Sequence, residues 1–173
     1  AFYNGYKPNS LDAAGNGTGF KAGGYGMSTT TLPKLPSVIP QHEVRGCLAY
    51  YNRARGFYAN HHLGGIIFEN NTVAASGRNF DMRNRKDGIT LPPEDISGYD
   101  HIIRNNLSFA GERGSTILEM LNRGKSTVEN NSFDLIDVLA DTDFLSLDET
   151  ELLKERKADG SLPDIYFLRL TSD

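Results

Sequence analysis

An internal repeat with a period near 24 residues is the feature of this chain that most constrains its fold. Four segments share one pattern, in which an apolar residue is followed by a polar residue and a two-residue turn; they begin at Val44, Phe68, Ile103 and Val128. Their starts are 24, 35 and 25 positions apart, so the middle interval holds one unit and about eleven extra residues. We interpret Asp87–Asp95, which contains Pro92 and Pro93, as that inserted loop. A repeat of this length indicates stacked coils.

A second series of segments runs in step with the first and adds a second strand to each unit. Its members are Gly19-Phe20-Lys21, Gly56-Phe57-Tyr58, Asn79-Phe80-Asp81 and Thr116-Ile117-Leu118. Within a unit, the central residue of this series follows the start of the first series by 12 to 14 positions. Two short apolar–polar strands separated by turn residues in every unit predict an all-β fold, a parallel β-helix or solenoid.

Asparagines recur at one position of the repeat. Asn71, Asn106 and Asn131 occupy equivalent places, where stacked coils would join their side-chain amides into a hydrogen-bonded ladder. Cys47 takes this place in the first unit and is expected to be a small buried residue. The alternative is that these asparagines only form turns of an ordinary β-sandwich, but two series that keep a constant register favour the solenoid.

Stacked coils would place Phe20, Phe57 and Phe80 above one another inside the solenoid, about 4.8 Å apart. Side chains alternate between the faces of a strand, so the residues that follow these phenylalanines are expected to face outwards. The first outward column is Lys21, Tyr58 and Asp81, and the next two are Gly23, Asn60, Arg83 and Tyr25, His62, Arg85. The sequence therefore predicts a polar, basic face with glycine at one end.

Lys21 lies in the most distinctive block of the chain, Gly15–Gly24, which is rich in glycine. We expect these glycines to leave room beside the lysine for a flat ligand such as a sugar ring. The loop Met27–Pro40, with three prolines and four consecutive Ser or Thr residues, is expected to form the wall of a groove next to Lys21.

Composition excludes several classes of protein. The net charge of −4, from 18 Lys and Arg against 22 Asp and Glu, gives no electrostatic reason to expect nucleic acid as a partner. The single cysteine excludes an internal disulfide framework and a cysteine-based metal site. No apolar stretch reaches the length of a membrane span, so no membrane association is predicted, and no signal-peptide pattern occurs in these residues.

The first residues match the middle of a repeat unit. Ala1-Phe2-Tyr3-Asn4 is similar to Ala49-Tyr50-Tyr51-Asn52, so the strand that should precede Ala1 is missing from the sequence. An uncovered solenoid end exposes an apolar core, and solenoids normally carry a capping element there. We therefore expect further N-terminal coils of the same protein to pack on this end.

The repeat stops after Phe133, and the remaining residues have a different composition. Asp148–Lys157 is helix-forming, and Gly160 is suited to the position beyond a helix end. The apolar tail that follows is expected to close the last coil. We predict β-helix coils over residues 1–134, incomplete at the N-terminal end, and a C-terminal cap with a short helix and tail over residues 135–173.

At these residues the chain resembles a known family. It is similar to the C-terminal coils of the family-nine polysaccharide lyases in residues 15–24, 42–57, 66–73 and 101–109, and in the tail segments Phe144–Leu147 and Ala158–Pro163. Members of that family are right-handed parallel β-helix enzymes that cleave pectic polysaccharides, the acidic polymers of plant cell walls. The resemblance covers essentially the whole chain and implies a secreted, periplasmic or cell-surface enzyme. It also implies that Lys21 is the base that abstracts a proton.

Two departures from the family pattern concern the metal and the substrate. The family's calcium site is a cluster of aspartates just upstream of the lysine block, whereas only Asp12 precedes Lys21 here, so the resemblance implies calcium ligands outside this chain. Members that cleave galacturonan continue Gly-Phe-Asp-Gln-Asn-Asn where this chain has Gly56–His61. This difference favours rhamnogalacturonan I over polygalacturonate as the substrate.

The reaction that the resemblance implies is β-elimination at a uronate. It needs a base for the C5 proton, stabilisation of the charge that builds up on the adjacent carboxylate, and departure of the C4 oxygen. A calcium ion on the carboxylate would act as a Lewis acid in loose oxygen coordination. A lysine accepts a proton only when it is neutral, so the calcium ion and arginines such as Arg55 or Arg83 would have to lower its pKa.

Further candidates for substrate binding are Arg53, Arg55, Tyr58, Asn60, His61, His62 and Arg83. Arg53 and Arg55 either pair with uronate carboxylates or are simply solvated. Adjacent histidines on a strand face opposite ways, so at most one of His61 and His62 is expected in the groove. There it would bind sugar hydroxyls or protonate the leaving oxygen; the alternative is a histidine in a surface turn. Tyr58 either stacks on a sugar or is an ordinary surface tyrosine.

Two other functions remain open at this point. A non-catalytic β-helix that binds carbohydrate would have the same repeat, because a fold does not determine a function. A hydrolase would need two carboxylates facing the substrate, and Asp81 is the only acid that the repeat places there. His42 and His101 lead into strands and are interpreted as structural residues.

Overall fold

A computed structural model describes residues 1–24, 36–111, 113–135 and 138–171 of the chain. Within these ranges the chain forms thirteen short strands and four 3₁₀ helices, and no α-helix. The strands are β1 (Thr18–Lys21), β2 (His42–Arg45), β3 (Leu48–Tyr50), β4 (Arg55–Tyr58), β5 (Ile66–Glu69), β6 (Thr72–Ala74), β7 (Arg78–Asp81), β8 (Asn84–Arg85), β9 (Asp95–Ile96), β10 (Ile102–Arg104), β11 (Leu107–Phe109), β12 (Thr116–Glu119) and β13 (Thr127–Glu129). The 3₁₀ helices are Arg123–Lys125, Ser132–Asp134, Asp141–Asp143 and Glu149–Leu153.

Three parallel sheets run along the repeat. The first sheet has the order β1-β4-β7-β12, the second β13-β10-β5-β2 and the third β11-β6-β3. Each strand pairs in parallel with the strand in the same place of the next coil, so sequence-distant strands are neighbours. This is the parallel β-helix that the sequence predicts. The antiparallel hairpin β8–β9 is additional to the three sheets and holds the residues inserted between the second and third units.

Phenylalanines stack along the inside of the first sheet, as predicted. The ring centroids of Phe20 and Phe57 are 5.0 Å apart, and those of Phe57 and Phe80 are 5.2 Å apart. In the fourth coil the sequence alignment is wrong by one residue, because Leu118 and not Ile117 pairs with Phe80. Gly111 and Gly114, which precede β12, have φ values of +63° and +64°.

The predicted asparagine ladder is present in the buried turn between the second and third sheets. The side-chain oxygen of Asn106 accepts hydrogen bonds from the backbone N–H and the side-chain amide of Asn71, at 3.0 and 3.1 Å. Asn131 does the same for Asn106, at 3.0 and 2.8 Å. Cys47 begins the ladder, since its backbone N–H donates to the side-chain oxygen of Asn71 at 3.0 Å. The ladder satisfies polar groups that stacked coils would otherwise bury without partners.

Replacing Asn71 by alanine is expected to lower the free energy of unfolding by about 2 kcal/mol, because buried backbone groups lose their partners. Asn71 donates to the carbonyl oxygen of Val44 and accepts from Cys47, so both groups would be left unpaired. Urea unfolding measures the change. Asn105→Gly is the control, because Asn105 is the exposed neighbour in the turn, has no part in the ladder and has a φ of +55° that glycine adopts without strain. If it destabilises the protein as much as Asn71→Ala does, the ladder has no special role.

The described chain forms two compact units, Ala1–Ile136 and Asp137–Asp173. In the second unit, Phe144 bridges to Leu170 and Ser146 bridges to Phe167. The helix expected over Asp148–Lys157 is only the 3₁₀ helix Glu149–Leu153, which Asp148 caps at the N–H of Thr150. The next residues turn away, because the N–H of Lys157 bonds to Ser161 across a turn that contains Gly160. No helix among the described residues is long and apolar enough to cross a membrane.

Candidate active site

Lys21 ends strand β1 and is exposed, while the preceding residue, Phe20, packs against the core. The opposite directions of these two neighbouring side chains are those that alternation along a strand predicts. The ammonium group of Lys21 makes no hydrogen bond or ion pair with any residue that the structure describes. Strand β1 therefore fixes the backbone of Lys21, and its amine has no partner among the described residues.

Two of the glycines around Lys21, Gly19 and Gly23, serve packing between coils and do not leave room for a sugar. A Cβ atom added at Gly19 would lie 2.8 Å from the carbonyl oxygen of Gly56, on the neighbouring strand. One added at Gly23 would overlap the carbonyl oxygen of Ala59 and the side chain of His62. A side chain at either position would push strand β1 away from the next coil, so these glycines set how closely the lysine strand approaches it.

A row of polar side chains crosses the first sheet beside Lys21. Lys21 is in register with Tyr58, Tyr58 with Asp81, and Asp81 with Glu119, on successive strands about 4.8 Å apart. We call this row and the side chains bonded to it the lysine face; it consists of Lys21, Arg55, Tyr58, His61, Arg78, Asp81, Arg83, Arg85, Asp95 and Glu119. Five of these residues are cationic and three are anionic at neutral pH, although the whole chain has a net charge of −4.

Asp81 is the centre of the lysine face. Its side chain is fully buried, and its two carboxylate oxygens bind the Nε atoms of Arg55 and Arg83 at 2.7 and 2.8 Å. Tyr58 is buried, which corrects the expectation of an outward tyrosine that stacks on a sugar. The guanidinium of Arg55 lies over its ring, 4.2 Å from the ring centroid. Burial is the main reason why the pKa of Tyr58 is raised, so this phenol stays protonated near neutral pH. A buried carboxylate that holds two guanidinium groups fixes their positions more precisely than solvent contacts would.

His61 connects the row to the hairpin. Its Nδ1 is 2.6 Å from a carboxylate oxygen of Asp95, and its Nε2 is 2.5 Å from the hydroxyl of Tyr58. A carboxylate only accepts hydrogen bonds, so in the neutral ring Nδ1–H donates to Asp95 and Nε2 accepts from the Tyr58 hydroxyl. Burial lowers the pKa of His61, and the arginines Arg85 and Arg83 act in the same direction against the opposing effect of Asp95. The imidazole is therefore neutral at neutral pH.

Asp95 and Arg85 are functional candidates whose contact the repeat alone did not predict. They face each other at the base of the hairpin β8–β9, with Arg85 Nη1 and Asp95 Oδ1 2.5 Å apart. Asp95 also lies 3.5 Å from Arg83. The eleven extra residues between the second and third units were the sequence feature that could have indicated Asp95. An insertion that packs against an outward column adds its own side chains to that column.

Three predicted site residues are not on the lysine face, and burial corrects the assignment of two of them, His62 and Asn60. His62 is fully buried, with Nε2 2.9 Å from the carbonyl oxygen of Pro40. Asn60 is buried and donates to the carbonyl oxygen of Gly23 at 2.9 Å. Arg53 donates to the carbonyl oxygen of Gly15 at 2.7 Å and so supports the loop before β1. These side chains fix the backbone around Lys21.

The two histidines interpreted as structural make internal hydrogen bonds, as expected. His42 Nδ1 is 2.5 Å from the carbonyl oxygen of Ala22, and the ring of His101 is fully buried. Tyr25 and most of the loop Met27–Pro40, which were expected to complete the wall beside Lys21, lie outside the described residues.

Carboxylates near Lys21 do not form a metal site. Asp12 is exposed in its loop and lies 3.5 Å from the ammonium group of Lys7, and both oxygens of Asp81 are bound by arginines. Across the described part of the chain there is no group of three His, Cys, Asp or Glu side chains that could hold a metal ion. Cations of the protein itself occupy the carboxylates that a calcium ion would need.

The coils and the lysine face define this chain as a parallel β-helix that presents a fixed, cation-rich row of side chains on one sheet. Residues 1–106 match the family described as Pel9A-like, right handed beta helix region, and residues 122–173 match the one described as rhamnogalacturonan lyase-like, C-terminal. The chain belongs to the Pel9A-like right-handed β-helix family. The right-handed coil and the resemblance to the lyases are thereby confirmed.

Two curated relatives are both named pectate lyase L. Pectate lyase L of Dickeya chrysanthemi is 30% identical over 160 residues, 92% of this chain and 31% of that protein. Pectate lyase L of Dickeya dadantii (strain 3937) is 28% identical over 174 residues, 100% of this chain and 34% of that protein. The chain thus spans about a third of the length of these curated relatives.

Two solved structures are also similar. A rhamnogalacturonan lyase is 60% identical with a TM-score of 0.92, over 99% of this chain and 40% of that one. The crystal structure of pectate lyase Pel9A is 27% identical with a TM-score of 0.66, over 100% of this chain and 36% of that one. The likeness to the rhamnogalacturonan lyase is much the stronger of the two.

Proposed function

We propose that this chain belongs to a pectic polysaccharide lyase in which Lys21 removes the C5 proton of a uronate. The observation that carries the proposal is the place of Lys21, exposed at the end of a core strand and unpaired among the described residues. An amine in that position can accept a proton from a bound ligand without first breaking an internal ion pair. The names of the relatives, pectate lyase and rhamnogalacturonan lyase, support the reaction class.

The reaction balances without an oxidant or a reductant. Lys21 Nζ takes the C5 proton, the C4=C5 double bond forms, the C4–O bond breaks and the departing oxygen takes up a proton. The products are a 4,5-unsaturated uronate end and a shortened polymer with a new hydroxyl. Arg55 stands near the row that Lys21 begins and stabilises negative charge on the substrate carboxylate, whereas Arg83 is held by Asp81, Asp95 and Glu119 and supports the row. Both ring nitrogens of His61 are bonded, to Asp95 and to Tyr58, so this histidine holds the row in place and does not bind sugar hydroxyls.

Calcium is part of the proposal only through residues outside the described part of this chain. When bound to the substrate carboxylate, a calcium ion supplies Lewis-acid stabilisation. The carboxylates of the lysine face do not fit it, since Asp81 and Asp95 are already paired with arginines. Ligands from elsewhere in the natural protein would have to complete such a site. We also propose that the protein acts outside the cytoplasm, because its proposed substrate is a polymer of the plant cell wall.

We infer rhamnogalacturonan I as the better substrate, because the rhamnogalacturonan lyase is 60% identical and the pectate lyases are 27 to 30% identical. The test measures unsaturated product by ultraviolet absorbance when the natural full-length protein is given rhamnogalacturonan I or polygalacturonate. Faster release from rhamnogalacturonan I is expected. Equal or faster release from polygalacturonate would contradict the assignment of the substrate, and release from neither polymer would contradict the lyase.

The rate of cleavage is expected to rise as the pH rises from neutral towards alkaline values. An amine acts as a base only in its neutral form, whose fraction grows with pH. The kcat of the wild-type protein is measured across this range at constant ionic strength. A profile that peaks below about pH 6 would contradict a lysine base.

A further inference from the structure

We propose that Arg55, held by Asp81, together with the neighbouring Arg78 forms a carboxylate clamp that selects ionised uronate over its methyl ester. This inference rests on the proposed function, because it names the form of uronate that the lysine face binds. It concerns binding alone, so it can be tested separately from cleavage.

Arg55 is anchored at one end of its guanidinium and open at the other. Its Nε atom is 2.7 Å from the carboxylate of Asp81, and its plane lies against the ring of Tyr58. Its two terminal nitrogens make no hydrogen bond with any residue in the described ranges. The side chain is 18% exposed, so these nitrogens are reachable from solvent in a guanidinium that cannot swing freely. A guanidinium with both terminal nitrogens available matches the two oxygens of a carboxylate.

Arg78 repeats this arrangement one strand further along. It is in register with Arg55 on the adjacent strand, and its Nε atom pairs with the carboxylate of Glu119. The terminal nitrogens of Arg78 likewise have no partner among residues that the structure describes. Each of these guanidinium groups is anchored through Nε to a carboxylate on the next strand of the sheet. Together they create a local excess of hydrogen-bond donors.

The other arginines of the lysine face are not available in this way. The terminal nitrogens of Arg83 lie 3.5 Å from Asp95 and 3.2 Å from Glu119. Arg85 is buried, with Nη1 2.5 Å from Asp95. These two arginines hold the hairpin and the row together, whereas Arg55 and Arg78 keep donors for a ligand.

The chemistry of these donors identifies the ligand class. An ionised carboxylate accepts two charge-assisted hydrogen bonds from one guanidinium, whereas a methyl ester has no charge and offers weaker acceptors. The five cations and three anions of the lysine face favour an anionic polymer as well, in a chain whose net charge is negative. Asp81 acts through Arg55 and is therefore a positioning residue.

The test measures binding in a Lys21→Ala background, where no cleavage confuses the result. Calorimetry compares an ionised rhamnogalacturonan I oligomer with its methyl ester on the natural full-length protein, and equal affinity for the two forms would overturn the clamp. We expect Arg55→Gln and Asp81→Asn each to weaken binding of the ionised oligomer by about tenfold, corresponding to about 1.4 kcal/mol, and to leave the ester unchanged. Arg55→Lys, which keeps the charge and loses the paired donors, is expected to fall between wild type and Arg55→Gln.

Arg104→Gln is the matched control. Arg104 also pairs through Nε with a carboxylate, that of Glu69 at 2.8 Å, and its side chain is 38% exposed like that of Arg78, but it lies on the second sheet. It is expected to change neither affinity. The clamp is overturned if Arg55→Gln binds the ionised oligomer as tightly as its parent, or if acid and ester weaken equally. Circular dichroism shows whether Asp81→Asn is folded. If Asp81→Asn does not fold, Arg55→Gln alone tests the clamp. If Arg55→Gln loses the preference for the ionised oligomer and the wild-type protein forms no unsaturated product, the clamp is supported and the lyase is contradicted.

Discussion

Alanine at position 21 is expected to lower the kcat of polymer cleavage by about 10²- to 10⁴-fold, the usual contribution of a general base. The variant loses the amine that accepts the C5 proton, while the exposed side chain has no partner among the described residues whose loss would disturb the fold. The melting temperature and the affinity for the polymer should therefore change little. Initial rates of unsaturated-product formation, measured at saturating polymer, give the effect on kcat.

Two further variants make this result specific. Lys21→Arg keeps a positive charge but does not accept a proton at accessible pH, so it should be as inactive as Lys21→Ala. Lys7→Ala removes another exposed lysine, paired only with Asp12 in its loop, and should be fully active. Full activity of Lys21→Ala would exclude this lysine as the base. Tight polymer binding by the wild-type protein without any cleavage would instead favour the non-catalytic carbohydrate-binding β-helix.

The parts of the fold that follow the repeat could be predicted from the sequence. Each coil must fill the same space as the one before it, so Phe20, Phe57 and Phe80 stack and Asn71 and Asn106 continue one ladder. The same constraint places Lys21 outside the core, because it follows an inward-facing residue on a short strand.

The lysine face was predicted only where the backbone is extended. Alternation from Tyr58 onwards would put His62 in the outward column, but Asn60 and His61 have φ values of +53° and +58°. This left-handed turn ends the alternation, so His61 bridges to Asn84 and bonds to the row while His62 is buried. Neighbouring asparagine and histidine tolerate such a turn, but their order does not indicate which side chain faces outwards.

The contribution of the hairpin β8–β9 was also outside the reach of the repeat. An insertion has no equivalent in the other coils, so nothing in the period determines which of its residues contact an outward column. Asp95 stands at the point where the inserted segment rejoins the coil, and its carboxylate interacts with His61, Arg83 and Arg85. Only the three-dimensional path of the loop shows that Asp95, a residue outside the repeat, contacts three side chains that belong to the repeat.

Acidification from pH 6.5 to pH 4 is expected to remove about 3 kcal/mol of unfolding free energy through His101. The buried ring accepts the backbone N–H of Ile66 at Nδ1, at 3.0 Å, so Nε2 carries the proton and donates to the side-chain oxygen of Asn84 at 2.8 Å. Burial is the main cause that lowers the pKa of His101 from 6.5 to about 4. As the pH falls, the unfolded chain binds this proton first, so stability is lost from pH 6.5 until the folded ring also protonates near pH 4.

His101→Asn provides the comparison, because it keeps an acceptor oxygen for Ile66 and does not titrate. Urea unfolding of both proteins at several pH values gives the difference in their stabilities, which cancels every group they share. That cancellation matters because burial also lowers the pKa values of His61 and His62. The variant should be the less stable protein at neutral pH. The difference in unfolding free energy should narrow as the pH approaches 4, because only the wild type loses stability by keeping this imidazole neutral. Two curves that remain parallel over this range would show that the buried ring at position 101 is not the acid-sensitive group.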